Sequence, residues 1–416
     1  MFFIEDKKIF HAVNIMYIFN IENFLKDKRS NLFMHRRIVK SPRYYIIGDV
    51  SATNILIGVY ELRKDGPKLF MRKDFNGNEI ENFYEQVLDD IFRVSQIKKE
   101  NIEAMVLSPA GPILDGKVKM TNAKFSIDSE KTGVPTVLIN DFVAIAYAVA
   151  TLGLRGELES VRLPHSDGSY GKSISFENIS IEGAGTGLGE ISLHYDYEKK
   201  LYFPKPKGSE GGHKFLPCPD FFSDLETAIA FHLQTEYGGY IPHREALCSG
   251  RGIQKIFEFL KSINIWRTIS EGKELSFDKT QIRDYYEAND KAAIISKLAK
   301  NSPNSIFGKT QKIFYRFYGR SGHDMIVHEN AWAGHYIAGG AMRKDIFLNE
   351  DYKDKTLNSL VLDSYMEGLE EGPTHRDKVN NTPITLITDG EVGMKGALQV
   401  AITPEYMQRE VHRKSV

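Results

Sequence analysis

The sequence predicts an α/β fold, and two features of the chain support this prediction. Short β-rich runs alternate with stretches of helical apolar spacing, a pattern that is typical of layered α/β proteins. In addition, residues 47–59 and residues 181–193 each place a turn of small residues between two β-rich runs. This similarity between the two halves of the chain resembles an internal duplication.

The composition excludes several classes of protein. The 416 residues correspond to two large or three small domains, and 42% of them are hydrophobic and 26% charged, as in soluble globular chains. The 54 basic and 55 acidic residues give a net charge of −1, so no overall charge favours nucleic acid as a partner. The longest uncharged apolar stretch, residues 142–154, is too short to span a membrane. Cys218 and Cys248 form no C-x-x-C pair, and we expect a reducing, cytoplasmic location.

The first half of the chain predicts a hairpin followed by alternating helices and strands. Residues 1–43 are charged and aromatic without clear periodicity, and we expect them to form an N-terminal extension. Residues 44–47 and 55–60 are β-rich and enclose a small, polar turn, which is typical of a hairpin. Further along, the pattern predicts a helix at 79–94, strands at 104–107 and 136–139, and an apolar helix at 142–152.

The second half predicts another hairpin and a longer helical region. Here the pattern predicts strands at 174–181, 191–193 and 199–203, helices at 222–237 and 253–261, a polar stretch at 262–305 with a helix at 289–299, strands at 335–338 and 383–388, and a Gly-rich helix start at 390–396. The glycines of residues 183–189 alternate with other residues, so their backbone N–H groups can approach an anion closely. Such a turn is either a phosphate-binding loop or a tight hairpin turn.

This glycine turn does not match the common nucleotide-binding loops. Leu188 occupies the position where a dinucleotide-binding loop has its third glycine. Residues 171–173 and 308–310 resemble the end of a P-loop but lack the glycine five residues earlier. The sequence therefore disfavours both a P-loop nucleotidase and a Rossmann-type dehydrogenase.

Two carboxylates follow β-rich runs. Asp49 lies in the turn between the first two strands, where it can either hold hydrated Mg²⁺ or cap its own turn. Asp141 follows the 136–139 strand and precedes a helix. It can cap that helix, or it can accept a proton from a substrate hydroxyl, because ligands of α/β sheets bind at the carboxyl ends of strands.

A third group of polar residues suits a ligand with several hydroxyl groups. Glu210 and His213 flank two glycines, and this short run offers several hydrogen-bonding groups to a sugar. A solvated glycine loop is the alternative. Glu245 precedes a predicted helix, where a negative charge is also favourable for the helix itself.

These motifs, in this order, resemble the glucokinase family of bacterial type, which belongs to the hexokinase and actin ATPase superfold. The resemblance covers roughly residues 44–402. The matching segments are Gly48-Asp49-x-x-x-Thr53-Asn54, Met120-Thr121-Asn122, Ile139-Asn140-Asp141-Phe142, Gly183-x-Gly185-Thr186-Gly187-Leu188-Gly189, Glu210-Gly211-Gly212-His213, Glu245-x-x-x-Ser249-Gly250 and Ile337-Ala338-Gly339-Gly340.

The resemblance implies a role for each motif. Asp141 matches the general base for the 6-hydroxyl group of glucose. The residues that match the sugar-binding positions are Asn122, Asn140, Asp141, Glu210, His213 and Glu245. The residues that match the nucleotide-binding positions are Gly48, Asp49, Thr53, Asn54, Gly183, Gly185, Thr186, Gly339 and Gly340, with Asp49 also near Mg²⁺ and bound to it through water.

The resemblance also implies an architecture and partners. It implies a two-lobed, actin-like ATPase fold of the ribonuclease H-like type, with a cleft between a small domain and a large one. The small domain would comprise residues 44–150, completed by a C-terminal helix at about 393–416, and the large domain residues 151–392. ATP, Mg²⁺ and glucose are the implied ligands, a homodimer is the implied assembly, and neither nucleic acid nor membrane is expected as a partner.

This chain departs from the family pattern in several places. Ser51 and Ala52 replace two glycines of the first phosphate loop, and residues 329–335 are bulkier than usual. Residues 1–43, 155–173 and 264–305 resemble additions to the compact bacterial form and indicate a eukaryotic, protist member. Two alternatives therefore stand beside a glucokinase: a sugar-binding sensor with impaired catalysis, and a kinase of the same fold that uses another hydroxylated substrate or phosphoryl donor.

Overall fold

Two mixed β-sheets and the helices packed on them form the main body of the protein. The computed structural model describes residues 42–120, 123–205, 209–216, 223–271, 278–348, 356–373 and 375–412, and within them it describes no side chains for residues 265–271 and 412. By its internal contacts the chain divides into two units, residues 1–43 and residues 44–416, and the sheets, helices and cavity described here belong to the second.

The first sheet contains an antiparallel hairpin and two parallel strands. Its strands lie in the order β3-β2-β1-β4-β8. β1 pairs with β2 in antiparallel and with β4 in parallel orientation, and β4 is parallel to β8. The strands are β1 (Tyr44–Val50), β2 (Asn54–Arg63), β3 (Gly66–Asn76), β4 (Ile102–Pro109) and β8 (Thr136–Leu138); β5 (Ile113–Leu114), β6 (Lys117–Lys119) and β7 (Ser126–Asp128) form a small separate sheet.

The second sheet repeats this topology and adds β9 at its edge, antiparallel to β14. Its strands lie in the order β12-β11-β10-β13-β14-β9, with an antiparallel β10–β11 hairpin and β10, β13 and β14 parallel to one another. The repeated order agrees with the internal duplication that the sequence indicates. The strands are β9 (Ser160–Leu163), β10 (Ile179–Ala184), β11 (Leu188–Asp196), β12 (Leu201–Pro204), β13 (Gly334–Ala338) and β14 (Ile384–Ile387).

The helices pack on both sheets. They are α1 (Asp89–Ser95), α2 (Asp141–Ala148), α3 (Asp224–Glu236), α4 (Gly250–Glu271), α5 (Lys279–Glu287), α6 (Lys291–Asn301), α7 (Ile306–Glu329), α8 (Gly340–Asp345), α9 (Ser359–Glu370), α10 (Arg376–Asn381), α11 (Val392–Ile402) and α12 (Pro404–His412). None of the described helices combines the length and the apolar character that a membrane span requires.

Helix α2 lies between the two sheets. Its buried residue Tyr147 belongs to one apolar cluster together with Ile47 of the first sheet and Ile181 of the second. Helix α11 packs closely on α2, because a Cβ at Gly396 would lie 1.7 Å from the Ala144 carbonyl oxygen. The chain after β14 therefore returns to the first sheet. The boundaries predicted for the small and the large domain stay a prediction.

Several predicted elements need correction. The strand predicted at 174–181 begins only at Ile179, because Phe176 has a positive φ of 66° and cannot continue an extended strand. The helix predicted at 79–94 begins only at Phe83, after a 3₁₀ turn at Gly77–Glu79, and its first part is a π-turn at Tyr84–Leu88 that continues directly into α1. The helix predicted at 253–261 is part of the longer α4, and the polar stretch 262–305 contains α5 and α6.

Candidate active site

A cavity of about 190 Å³ opens where the two sheets meet. Four residues singled out in the sequence line it, namely Asp49, Asp141, Gly339 and Gly340. The other lining residues are Ile145, Arg343, Ile387, Asp389, Gly390, Val392 and Gly393. Carboxylates and glycines from four separate parts of the chain thus converge on one space.

Asp141 faces this cavity because its neighbour caps the helix. The Asn140 side chain accepts a hydrogen bond from the Phe142 N–H, 3.0 Å away, and so takes the N-cap position of α2. Asp141 is the first helical residue. Burial raises the pKa of the Asp141 carboxyl to about 6, although hydrogen bonding from Phe142, its own N–H and Asn140 opposes this rise.

Asp49 lies within β1 rather than in the turn predicted for it, because the strand continues to Val50 and pairs Asp49 with Leu56 of β2 and Ser108 of β4. Burial and the negative charge of Asp141 together raise the pKa of Asp49 to about 7. The first turn of α11 covers its carboxylate, since a Cβ at Gly393 would lie only 2.6 Å from Asp49 Oδ2. The two acids therefore form an electrostatically coupled pair across the cavity.

The turn after β1 is stabilised by a serine. Ser51 Oγ donates a hydrogen bond to the Asn54 carbonyl at 2.8 Å and accepts one from the Asn54 N–H at 3.0 Å. Ser51 and Ala52 both have ordinary negative φ values, so their Cβ atoms cause no backbone strain. Thr53 and Asn54 are exposed at the tip. Gly48 is buried within the sheet, where a Cβ would lie 2.6 Å from Leu107.

The glycine hairpin between β10 and β11 packs against the start of α2. A Cβ at Gly183 would lie 2.8 Å from the Phe142 ring, so the ring occupies the space that the glycine leaves. At the tip, Gly185 and Thr186 are exposed, and the Gly185 carbonyl accepts a hydrogen bond from the Gly250 N–H at 2.9 Å. The tip is thereby held next to the beginning of α4.

The predicted sugar-binding residues lie beside this hairpin. Glu245 accepts a hydrogen bond from the Leu188 N–H at 3.1 Å. Glu210 and His213 are exposed on a 3₁₀ turn, with Glu210 Oε2 and His213 Nε2 3.6 Å apart. These three residues do not line the 190 Å³ cavity itself. Asn122 lies outside the described residues.

Two polar residues that line the cavity were not identified from the sequence. Arg343 of α8 points a guanidinium toward Gly390, where a Cβ would lie 3.0 Å from Nη1, and no described carboxylate lies within ion-pair distance of it. Asp389 follows β14 and accepts hydrogen bonds from the Glu391 N–H and the Lys395 ammonium group. The position of Asp389 directly after a predicted strand could have indicated its place in the cavity. For Arg343, the sequence offered no signal beyond its closeness to Gly340.

Comparison with known sequences identifies related proteins. The family model described as Glucokinase matches residues 46–403. The glucokinase of Trichormus variabilis is 26% identical over 370 residues, which cover 85% of this chain and 97% of that protein. The glucokinase of Agrobacterium fabrum is 26% identical over 326 residues, which cover 76% of this chain and 82% of that protein.

Solved structures share the fold at lower identity. The glucokinase of Balamuthia mandrillaris in complex with glucose superposes with a TM-score of 0.65 at 17% identity, covering 92% of this chain and 98% of that one. A glucokinase from an Antarctic psychrotroph gives a TM-score of 0.61 at 21% identity, covering 86% and 98% respectively. These likenesses confirm the predicted two-lobed, actin-like α/β fold.

Proposed function

Since the chain belongs to the glucokinase family, we propose that it transfers the terminal phosphoryl group of ATP to the 6-hydroxyl group of glucose. The observation that supports this most directly is the position of Asp141. Its carboxylate, with a pKa raised to about 6, shares one cavity with Asp49 and with the Gly339–Gly340 pair. An acceptor for the proton of the hydroxyl group therefore lies beside groups suited to the phosphates.

Asp141 acts as the general base in this proposal. A base works best when its pKa lies near the working pH. Burial raises the pKa of the Asp141 carboxyl group, so that it lies closer to neutral pH than the pKa of a solvated aspartate. Phosphoryl transfer otherwise depends mainly on positioning the reactants in line and on stabilising charge. The rigid start of α2, capped by Asn140, supplies that positioning for the base.

The hydroxyl groups of glucose bind to the predicted sugar-binding residues beside the glycine hairpin. Glu210 and His213 are exposed and can form hydrogen bonds with a ligand, and Glu245 is fixed by the Leu188 N–H. Asn122 and Asn140 complete the set by family resemblance. An epimer would leave unpaired one of the groups that the bound sugar buries, at a cost of about 1–3 kcal/mol, and this would give selectivity for glucose.

The phosphates of ATP bind at the tips of the two hairpins. Thr53 and Asn54 at one tip and Gly185 and Thr186 at the other are exposed, and the hydroxyl groups of Thr53 and Thr186 can donate hydrogen bonds to phosphate oxygens. Gly48 and Gly183 support these tips from within the sheets. Gly339 and Gly340 line the cavity on the adenosine side.

Arg343 adds a cation to the nucleotide site. It lines the same cavity as Asp49 and Asp141, and among the described residues it has no acidic partner. A guanidinium group in such a position is suited to phosphate oxygens, which it can bind with two parallel hydrogen bonds. We assign it to the phosphates of the bound nucleotide.

Magnesium fits the donor set of the cavity. Mg²⁺ prefers oxygen ligands and is usually held by one or two carboxylates, water and substrate phosphates. In the described ranges, the acidic, histidine and cysteine side chains form no group of three that could hold a metal ion by themselves. Asp49 would hold the ion through water, and the bound ion would neutralise phosphate charge.

The test is a phosphorylation assay across sugars and donors. Purified full-length protein is incubated with Mg²⁺, a panel of hexoses and glycerol, and a panel of nucleoside triphosphates, and sugar phosphate is measured. We expect glucose 6-phosphate from ATP, with mannose and galactose much poorer substrates. Glucose binding without turnover would instead indicate a sensor, and turnover of another substrate or donor would indicate a different kinase of this fold.

The assembly and the location of the protein remain part of the proposal. By family resemblance we propose a homodimer in the cytoplasm. Size-exclusion chromatography with light scattering tests the first point, because a dimer of this 47.3 kDa chain has twice its mass. A monomeric mass at assay concentration would contradict it.

A further inference from the structure

A buried carboxylate connects the two segments that contain the proposed sugar-binding residues. Glu190 of β11 is only 1% exposed. Its Oε2 atom accepts a hydrogen bond from the Lys214 ammonium group at 3.2 Å, and its Oε1 atom lies 3.9 Å from Arg244 Nη1. Lys214 directly follows His213, and Arg244 directly precedes Glu245.

We propose that Glu190 is a positioning residue that holds these two segments, residues 209–216 and 242–246, in the arrangement required for glucose. The inference rests on the proposed function, because that function assigns sugar contacts to Glu210, His213 and Glu245. Glu190 cannot contact the sugar itself, since its side chain has no exposed surface.

The backbone of the first segment is shaped around the Glu190 carboxylate. A Cβ at Gly211 would lie 1.8 Å from Glu190 Oε2, so only glycine allows the carboxylate to lie beneath the turn. Ser209 forms a bridge with the backbone of Glu190. Gly211 is thus required by the structure, for a reason that the sequence motif alone does not give.

The second segment is attached to the first by backbone hydrogen bonds. The Arg244 N–H donates to the Lys214 carbonyl at 2.9 Å, and the Leu216 N–H donates to the Pro242 carbonyl at 3.0 Å. These bonds place the segments side by side. The charges then fix them on β11, because each cation pairs with a different oxygen of the Glu190 carboxylate.

The arrangement depends on charge more than on a complete set of hydrogen bonds. Glu190 Oε1 and Arg244 Nη1 form no hydrogen bond in the described residues. Arg244 has a second partner in Asp324, with Nη2 and Oδ2 2.6 Å apart. A neutral side chain at position 190 would therefore leave Arg244 drawn toward Asp324 alone and would release the partly exposed Lys214 to solvent.

The decisive variant is Glu190→Gln, which keeps the shape of the side chain and removes its charge. Glu226→Gln is the matched control, because Glu226 is also buried and also pairs with two cations, Arg316 at 3.6 Å and Arg320 at 3.2 Å. For each variant, KM for glucose, KM for ATP, kcat and thermal stability are measured. A small displacement of positioned groups can change kinetics by up to about 100-fold.

We expect Glu190→Gln to raise KM for glucose about tenfold or more, while KM for ATP changes by less than about threefold. Glu226→Gln should lower stability but leave KM for glucose unchanged. A merely structural role would give the two variants the same pattern. A folded Glu190→Gln protein with the wild-type KM for glucose would overturn the inference.

A second pair of variants tests the same link if Glu190→Gln does not fold. Lys214→Met removes the cation and should raise KM for glucose, whereas Lys214→Arg keeps the cation and should restore it. Equal KM values for Lys214→Met and the wild type would overturn the inference.

The outcome for the wild-type protein separates this inference from the proposed function. If the wild type phosphorylates glucose but the variants do not change its KM, only the inference fails. If the wild type binds glucose without phosphorylating it, the proposed function fails, and calorimetric Kd values for glucose replace KM in the same comparison. If it neither phosphorylates nor binds glucose, both are overturned.

Discussion

The ring of Phe142 lies directly against the backbone of Gly189. A Cβ on Gly189 would lie 1.9 Å from ring atom Cε2, a distance that no side chain can occupy without displacing the ring. Phe142 directly follows Asp141 at the start of α2. The glycine hairpin and the candidate base are therefore held together through one aromatic ring.

This contact predicts a strong effect of Gly189→Ala. The added methyl group must move the Phe142 ring and with it the first turn of α2, so we expect a loss of about 1–3 kcal/mol in the free energy of unfolding and a lower kcat. Urea denaturation and steady-state kinetics measure the two effects. Gly185→Ala is the control, because its Cβ would enter open space at the exposed tip.

Gly185→Ala should fold with wild-type stability and raise KM for ATP. If Gly189→Ala matched Gly185→Ala in stability, the ring would not set the position of the hairpin.

The base role predicts a large effect of Asp141→Asn on turnover. An amide cannot accept the proton of the hydroxyl group, and general base catalysis contributes about 100-fold to 10,000-fold in rate. We therefore expect kcat to fall within that range while the calorimetric Kd for glucose changes little, because the shape of the side chain is kept.

The pH dependence of the wild type provides an independent check. Protonation of Asp141 removes the base, and its pKa is raised to about 6, so kcat/KM should fall as the pH drops through about 6. Asp141→Asn should lose this acid limb from its residual activity. A wild-type rate that stayed constant down to pH 4.5 would exclude Asp141 as the base.

The coupled acids also predict a pH-dependent stability. The folded protein raises the pKa of Asp49 from 3.8 to about 7, so it binds this proton more tightly than the unfolded chain does. The resulting stability is fully present below pH 3.8 and is lost as the pH rises through about 7. Asp49→Asn avoids this loss and should be more stable than the wild type at pH 8, by about 1–3 kcal/mol.

Asp389→Asn is the matched control for that measurement. Asp389 lines the same cavity but accepts hydrogen bonds from Lys395 and the Glu391 N–H, so its substitution should destabilise the protein at pH 8. Urea denaturation at pH 4 and pH 8 gives both values. If Asp49→Asn were less stable than the wild type at pH 8, burial of the charged Asp49 carboxylate would not destabilise the folded protein.

Local sequence signals were sufficient to predict the hairpins and the two acids. The β1–β2 and β10–β11 hairpins follow from β-rich runs separated by small residues, which is a signal contained in neighbouring residues. Asp49 lies near the end of a strand and Asp141 follows one, and the sheet topology then brings both to one cavity. These features needed no knowledge of distant contacts.

Features that depend on distant contacts were not predictable in the same way. The 24-residue helix α7 contains several glycines and aromatic residues, which are poor helix formers. It is stabilised by packing on α9, where Gly319 approaches the Tyr365 carbonyl so closely that a Cβ would lie 2.0 Å from it. Arg343 likewise reaches the cavity only through the placement of α8 beside β13 and β14.

Arg343 provides a test of the nucleotide side of the site. Arg343→Gln removes a charge that the described part of the chain does not neutralise, and hydrogen bonds to charged groups are worth about 1.5–3 kcal/mol. We therefore expect KM for ATP to rise about tenfold to 100-fold, with KM for glucose unchanged. Arg283→Gln, an exposed arginine of α5, is the control for a general charge effect.

A change in KM for glucose equal to that for ATP would show that Arg343 acts on the whole site rather than on the nucleotide. An unchanged KM for ATP would remove Arg343 from the phosphate site.

The departure from the family pattern at Ala52 predicts a small effect of restoring glycine. The Ser51–Asn54 turn has no positive φ at positions 51 and 52, so it does not need the conformational freedom of glycine. Ala52→Gly should therefore destabilise the protein by about 0.5–1 kcal/mol through the greater entropy of the unfolded chain. KM for ATP should stay within about threefold of the wild type, because no strained backbone is relieved.

The same variant bears on the alternative of a sugar-binding sensor. That alternative was based on the extra Cβ atoms of Ser51 and Ala52, which would narrow the approach to phosphate. If those atoms block ATP, Ala52→Gly should raise kcat/KM for ATP strongly from a low starting value. Because the turn forms with ordinary backbone angles and a serine hydroxyl that closes it, we expect no such gain.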